Sequence, residues 1–176
     1  MAGAAQVMLN TIGRVDTSVD RQTQISKMLQ ANTTKEDSHN GGYGPAAWPI
    51  TLGQLGGGNY KLLIDASLTD AMHDAATALR RTGKPVGLLV WKGAHSWVMT
   101  GFRSDKDPRK TSNFKVLGAF ISDPYYPRHS RIWGQTMGPD TYRNWGDMAG
   151  NFVPWKRTLE GKYPGRDGMF LLVVPY

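Results

Sequence analysis

The sequence predicts an α+β protein in which helices come first and an antiparallel sheet follows. Two observations predict it. Between Val86 and Ser122, three apolar, β-branched and aromatic runs (Val86–Trp91, His95–Phe102 and Phe114–Ser122) are each bounded by Gly, Pro, Asp or a charge cluster, the mark of strands joined as hairpins. Ahead of them, residues 1–82 place apolar residues mostly at helical spacing. A length of 176 residues with 40% apolar composition suits one sizeable core. The chain is therefore read as a single domain over 1–176, with a helical part at 1–82 and a sheet part at 83–176 that includes an irregular, aromatic-rich segment.

In chain order, Ala2 to Ile12 puts Ala4, Ala5, Met8, Leu9 and Ile12 on one stripe, and Gly13 stops it. Ser18 to Gln30 is polar with Ile25, Met28 and Leu29 at helical spacing, a short surface helix. Asn32 to Gly44 is a loop, and Pro45 to Leu55 turns helical after Pro49. Gly56-Gly57-Gly58 lacks the Lys-Ser/Thr and the helix start that a phosphate loop needs, so it is discarded as one. Tyr60 to Asp65 reads as a short strand. Ser67 to Thr82 is the best-signalled helix. Ser67 caps it, Asp70 stands in a box-like position, and Leu68, Ala71, Met72, Ala75, Ala78 and Leu79 form the buried stripe. Arg80 and Arg81 suit its negative end, Gly83 terminates it and Pro85 forbids continuation. His73 lies off the stripe and is read as solvated.

The turn Lys92-Gly93-Ala94 predicts a tight hairpin between the first two central strands. The connection from Arg103 to Asn113 is longer and polar. Pairing centred near Arg109 sets His95 opposite Asp123, so both side chains lie on one face at one edge, Cβ atoms about 5 Å apart. An imidazole beside a carboxylate has a fixed tautomer and a stabilised imidazolium, the equipment of a general base. The bland alternative is a packed histidine and a strand stop at Asp123-Pro124. On the same register Trp97 and Met99 share the face of Leu117, Ala119 and Ile121, while Phe102 shares the other with Val116. Tyr125 to Gly168 dissolves into aromatics and turns (Tyr125, Tyr126, Trp133, Tyr142, Trp145, Trp155, Tyr163), read as packing over the sheet or as groove-side contacts for a peptide. Met169 to Val174 closes the sheet.

Gly83-Lys84-Pro85-Val86, the strand that follows, Gly93-Ala94-His95-Ser96-Trp97-Val98-Met99-Thr100-Gly101-Phe102 and the later Ser122-Asp123-Pro124 resemble the second half of papain-like cysteine peptidases. The match is to the bacterial branch that is similar to bacteriocin-processing, double-glycine-type peptidases. The resemblance spans about residues 3 to 125, is specific only around the two strand ends, and implies a papain-like fold with the helical part packed on the antiparallel sheet. It implies that His95 is the base and Asp123 orients it. Trp97, Gly93, Tyr125, Arg128 and His129 are candidates for the substrate groove. The family's nucleophilic cysteine opens the first core helix, followed by small residues, Gln and an apolar trio ending in Leu-Asn, as in Ala4-Ala5-Gln6-Val7-Met8-Leu9-Asn10. Counting back from Gln6 puts it at or just before Met1. This chain has no cysteine. Truncation at the nucleophile is the expectation; degeneration of the site is the alternative.

The expected function is thus a papain-like cysteine peptidase, or related acyl-transfer enzyme, inactive as given, that acts on a peptide or protein. A catalytically dead peptide-binding homologue is the second reading. A basic binding module is the third, since the formal charge is +7. No nucleic-acid motif is present, so no nucleic-acid partner is expected. His39, His73, His95 and His129 are scattered, with no His-Glu-x-x-His, and neither metal nor cofactor is expected. No run approaches a membrane span and no charged-then-apolar leader is written, so the chain as given is expected to be soluble and unexported.

Overall fold

The computed structural model describes residues 1–38, 42–132, 134–156 and 165–176; His39, Trp133 and Tyr163 lie outside them. Helices α1 (Ala2–Thr11), α2 (Val19–Asn32) and α3 (Ala47–Gln54) lead, followed by strand β1 (Tyr60–Asp65) and helix α4 (Leu68–Thr82). Then come β2 (Val86–Val90), β3 (His95–Ser104), β4 (Val116–Ser122), the short pair β5 (His129–Ser130) and β6 (Gly134–Gln135), β7 (Thr141–Asn144), α5 (Trp145–Asn151) and β8 (Phe170–Pro175). Six strands form one sheet in the order β1-β8-β2-β3-β4-β7, every neighbour antiparallel.

The helix ends follow their local chemistry. Ser18 accepts from the Arg21 amide and Ser67 from the Asp70 amide, each satisfying a donor that the first turn leaves open. Gly83 closes α4 in the left-handed region at φ 68°. Pro49 falls inside the first turn of α3, where a missing N–H costs nothing, so the helix starts before it rather than after.

Helices cover both faces of the sheet. On one face Ala4, Ala5, Met8 and Leu9 of α1, Ile25 and Leu29 of α2, and Trp48 and Leu52 of α3 pack on Leu89, Val98, Leu171 and Val173. On the other, Ala71, Met72 and Ala75 of α4 and Met148 of α5 pack on Leu88, Trp97, Met99, Ala119, Ile121 and Leu172. Burial on both sides explains the unbroken apolar runs in β2 and β8, and each fully enclosed side chain contributes about 1.5–3 kcal/mol. Trp48 lies so close to β2 that a Cβ on Gly87 would sit 2.5 Å from its ring.

Register differs from the expected one. Val98 pairs with Ser122 and Met99 with Ile121, so Asp123, one residue beyond the ladder, comes level with Trp97 and two residues short of His95. A shift of two residues preserves the face, so His95 and Asp123 still meet. The ladder also slips twice, between Met99 and Gly101 and between Arg103 and Ser104. The slips bring Phe102 and Val116 onto the α4 face with Met99 and Ala119, and leave Leu117 exposed. The hairpin before His95 is looser than expected, with Val90 pairing His95 across the four residues Trp91–Ala94. His73 is half-exposed rather than free in solvent: its ring stacks on Phe114 at 4.2 Å and its Nε2 bonds the Ser112 carbonyl at 2.8 Å.

Candidate active site

His95 opens β3 where the chain leaves an unusual turn. Trp91, Lys92 and Gly93 take φ values of 54°, 59° and 82°, three consecutive residues in the left-handed region. For a bulky residue such as Trp91 this conformation is costly and needs support from its surroundings. The support is specific. The Trp91 indole stacks on the His95 ring at 4.6 Å, meets Trp97 edge-on at 5.7 Å, and donates from Nε1 to Asn151 Oδ1 at 2.8 Å.

Asp123 directly follows β4, in front of Pro124, and its side chain is fully enclosed. Its Oδ1 accepts from His95 Nε2 at 2.7 Å and from the Tyr125 amide at 2.8 Å; its Oδ2 accepts from Trp97 Nε1 at 3.0 Å. A buried carboxylate with three donors is held in place as an acceptor. Because the carboxylate can only accept, Nε2 carries the proton and Nδ1 is left as the basic nitrogen of the neutral ring.

The first turn of α1 reaches the same place. A Cβ on Gly3 would lie 3.0 Å from Pro124 Cβ. Met1, the N-cap residue of α1, lines a cavity of about 180 Å³ together with His95, Ser96, Tyr43 and Trp155. Burial holds the Met1 amino group at about 6, below its usual 8.0. No side chain caps α1 and no acid sits in its first turn, so the positive end of the helix dipole is not neutralised by a local carboxylate. Ser96 follows His95 but pairs with Leu89 and belongs to the alternate strand face. Its hydroxyl is buried without a hydrogen-bond partner.

The groove candidates separate. Gly93 lines the His95 cavity and is pressed against Trp155, whose ring a Cβ would meet at 2.3 Å. Tyr125 is 39% exposed and stands nearly perpendicular to the His95 ring, centroids 6.2 Å apart. Arg128 is exposed, its guanidinium 5.7 Å from the Tyr125 ring, and His129 is exposed on the small β5–β6 hairpin. Trp97 is not a groove residue: it is 1% exposed and acts on Asp123 from the core. Sequence reasoning missed this role, although a buried indole needs an acceptor and Trp97 shares the face of His95. The stack of Trp91 was missed too, and nothing local signals it.

Behind the cavity, the loop that carries Tyr43 is tied down by the Asp37–Arg166 ion pair and by an Asp37 Oδ2 bond to the Ala46 amide at 3.0 Å. Tyr43 also hydrogen-bonds Ser26 of α2. Among the described residues no group of three His, Cys, Asp or Glu is arranged to hold a metal ion, and no helix is long and apolar enough to cross a membrane. Comparisons with protein-family models, with curated proteins and with solved structures found no match.

Proposed function

We propose that this chain is the body of a papain-like cysteine peptidase, with His95 as base, Asp123 as the residue that orients it, and a thiol carried immediately ahead of α1 as the nucleophile. One observation carries the reading: Met1, which caps the N-terminus of α1, and the imidazole held by Asp123 line a single cavity. A helix N-terminus lowers a thiol's pKa, and a neighbouring imidazole takes its proton. The fold proposed is correspondingly papain-like, α1 on one side of the cleft and the antiparallel sheet on the other.

The chemistry follows from these positions. The thiol passes its proton to His95 Nδ1, and the thiolate sulfur adds to the peptide carbonyl carbon. The C–N bond breaks as the imidazolium returns that proton to the leaving amine, and a thioester remains. Water then attacks the thioester with His95 taking its proton, the C–S bond breaks, and the acid is released. Asp123 accepts from Nε2 throughout, holding the ring and stabilising its charged form. The chain as given has no cysteine, and no serine or threonine among its first ten residues, so it does not complete this sequence.

The test is to fuse a segment ending in cysteine directly before Met1 and follow iodoacetamide labelling against pH, with and without His95→Ala. The expected thiol is reactive well below the ordinary thiol pKa of ~8.5, and His95→Ala restores the ordinary profile. A profile centred near ~8.5 and indifferent to His95 overturns the peptidase reading. The catalytically dead peptide-binding homologue would then stand in its place.

A further inference from the structure

We propose that the groove which Asp123 and Pro124 share with the later turns of α1 is a subsite for a basic side chain of a peptide, with the Asp140 carboxylate as its counter-ion. The proposal rests on the peptidase reading for the nature of the ligand, and on separate residues for its chemistry. The groove holds about 520 Å³. Val7 of α1, Pro124, Tyr126 and Pro139 give it apolar walls, and Thr100 and Asp140 give it a polar end.

Asp140 is exposed, and it is held rather than loose. Its Oδ1 accepts from the Thr100 hydroxyl on β3, and its amide donates to the Ser122 hydroxyl on β4 at 3.1 Å. Its backbone takes φ 52°, a left-handed conformation that Asp tolerates better than most residues. Two hydroxyls, one on the strand that opens at His95 and one on the strand that precedes Asp123, thus fix the position of a second carboxyl group. Among the described residues none forms an ion pair with it.

A peptide laid in this groove withdraws the carboxylate from water, and only a cation or a strong donor compensates for that. Arginine and lysine fit the rest of the groove. Their methylene stems cover Val7 and the two prolines, their heads reach Asp140, and the Tyr126 ring lines the same groove as a further apolar contact. The planar guanidinium, with several donors against one free carboxylate oxygen, is the better match. An acidic side chain meets repulsion, and a neutral isostere leaves the carboxylate unpaired.

The experiment is a titration of the ¹⁵N-labelled chain with Nα-acetyl-arginine amide and, separately, with Nα-acetyl-citrulline amide, read by amide chemical shifts. The arginine probe is expected to bind at least about ten-fold more tightly, the scale of one charge-assisted hydrogen bond, with shifts at Asn10, Thr11, Tyr126 and Asp140. Asp140→Asn keeps the size and tolerates the backbone, and it should erase the preference. Thr100→Val keeps the charge but releases the carboxylate, and it should weaken the preference. Equal affinities, no measurable binding of the arginine probe, shifts confined elsewhere, or an arginine preference that survives in Asp140→Asn each overturn the proposal. The thiol-labelling test judges the peptidase reading independently. An ordinary thiol together with an intact arginine preference sinks the peptidase and leaves a cation-binding groove; the reverse pattern sinks only the groove.

Discussion

The indole nitrogen of Trp97 donates across 3.0 Å to Asp123 Oδ2, the oxygen that His95 leaves unused. Because Trp97 is anchored in the core on the α4 face, the packing of that core fixes the direction of the carboxylate, and through it the ring of His95. The pair at the edge of the sheet is thereby tied to its interior.

Trp97→Phe tests that tie. It removes one donor from a buried carboxylate and keeps most of the aromatic volume. Stability is expected to fall by about 1–3 kcal/mol, seen as a lower urea midpoint with unchanged slope. An unaltered midpoint means that the indole bond is not needed to hold Asp123.

Gly93 and Gly13 form a matched pair of substitutions. Both have positive φ, 82° and 84°, but a Cβ on Gly93 would strike the Trp155 ring at 2.3 Å whereas Gly13 has nothing within 4 Å. Gly13→Ala should cost only the conformational term, about 1–2 kcal/mol, and Gly93→Ala that plus an overpacking cost of about 1–3 kcal/mol. Equal losses in thermal unfolding would mean that Trp155 yields freely.

Asp65 gives a pH dependence with a definite sign. Desolvation, then the charges of Asp74 and Asp70, raise its carboxyl to about 6. The folded state therefore holds a proton that the unfolded state has lost, and stability falls as pH rises from about 4 to about 6. Asp65→Asn should flatten that slope and stabilise the chain at neutral pH. A variant with the wild-type slope assigns the dependence to another group.

In a polypeptide made to start at Met1, the amino group of that residue gives the opposite slope in a higher window. Lowered by burial to about 6, it is neutral in the folded chain where the unfolded chain still carries the charge, so stability rises as pH rises from 6 towards 8. The full effect of such a shift is about 2–3 kcal/mol, and acetylating the amine should abolish it. If acetylation leaves the slope between pH 6 and 8 intact, the first turn of α1 is not enclosed beside His95.

Much of this was legible in the sequence, for identifiable reasons. α4 was readable to within a residue because Ser67, Gly83 and a six-residue apolar stripe from Leu68 to Leu79 all mark the same element. β2, β3 and β4 were readable as strands, but their alignment was not. The polar connection gives no sign of how far the ladder runs into it, and here it continues to an Asp105 amide bond with the Lys115 carbonyl at 3.1 Å. Nor does any local feature mark Thr100 or Leu117 as the extra residues at which the ladder slips. The meeting of His95 with Asp123 survived the misalignment only because an even shift keeps the face. Strand β7 and helix α5 escaped notice altogether: four residues carry little periodicity, and Gly146 and Gly150 obscure a helix whose real signal is Asn144 accepting from the Asp147 amide at 3.0 Å.

The place of β8 between β1 and β2 bears on how the protein can be made. A ribosome that has released residues 60–65 and 86–90 has produced two strands whose shared neighbour, residues 170–175, is not yet synthesised. Until it emerges, β1 lacks the strand it pairs with among the described residues and β2 has an open edge, so this half of the sheet closes only after translation has passed β8. The β3–β4 hairpin needs nothing so late. The strand ends that carry His95 and Asp123 can pair on the nascent chain while the sheet beside them is still waiting for its middle strand.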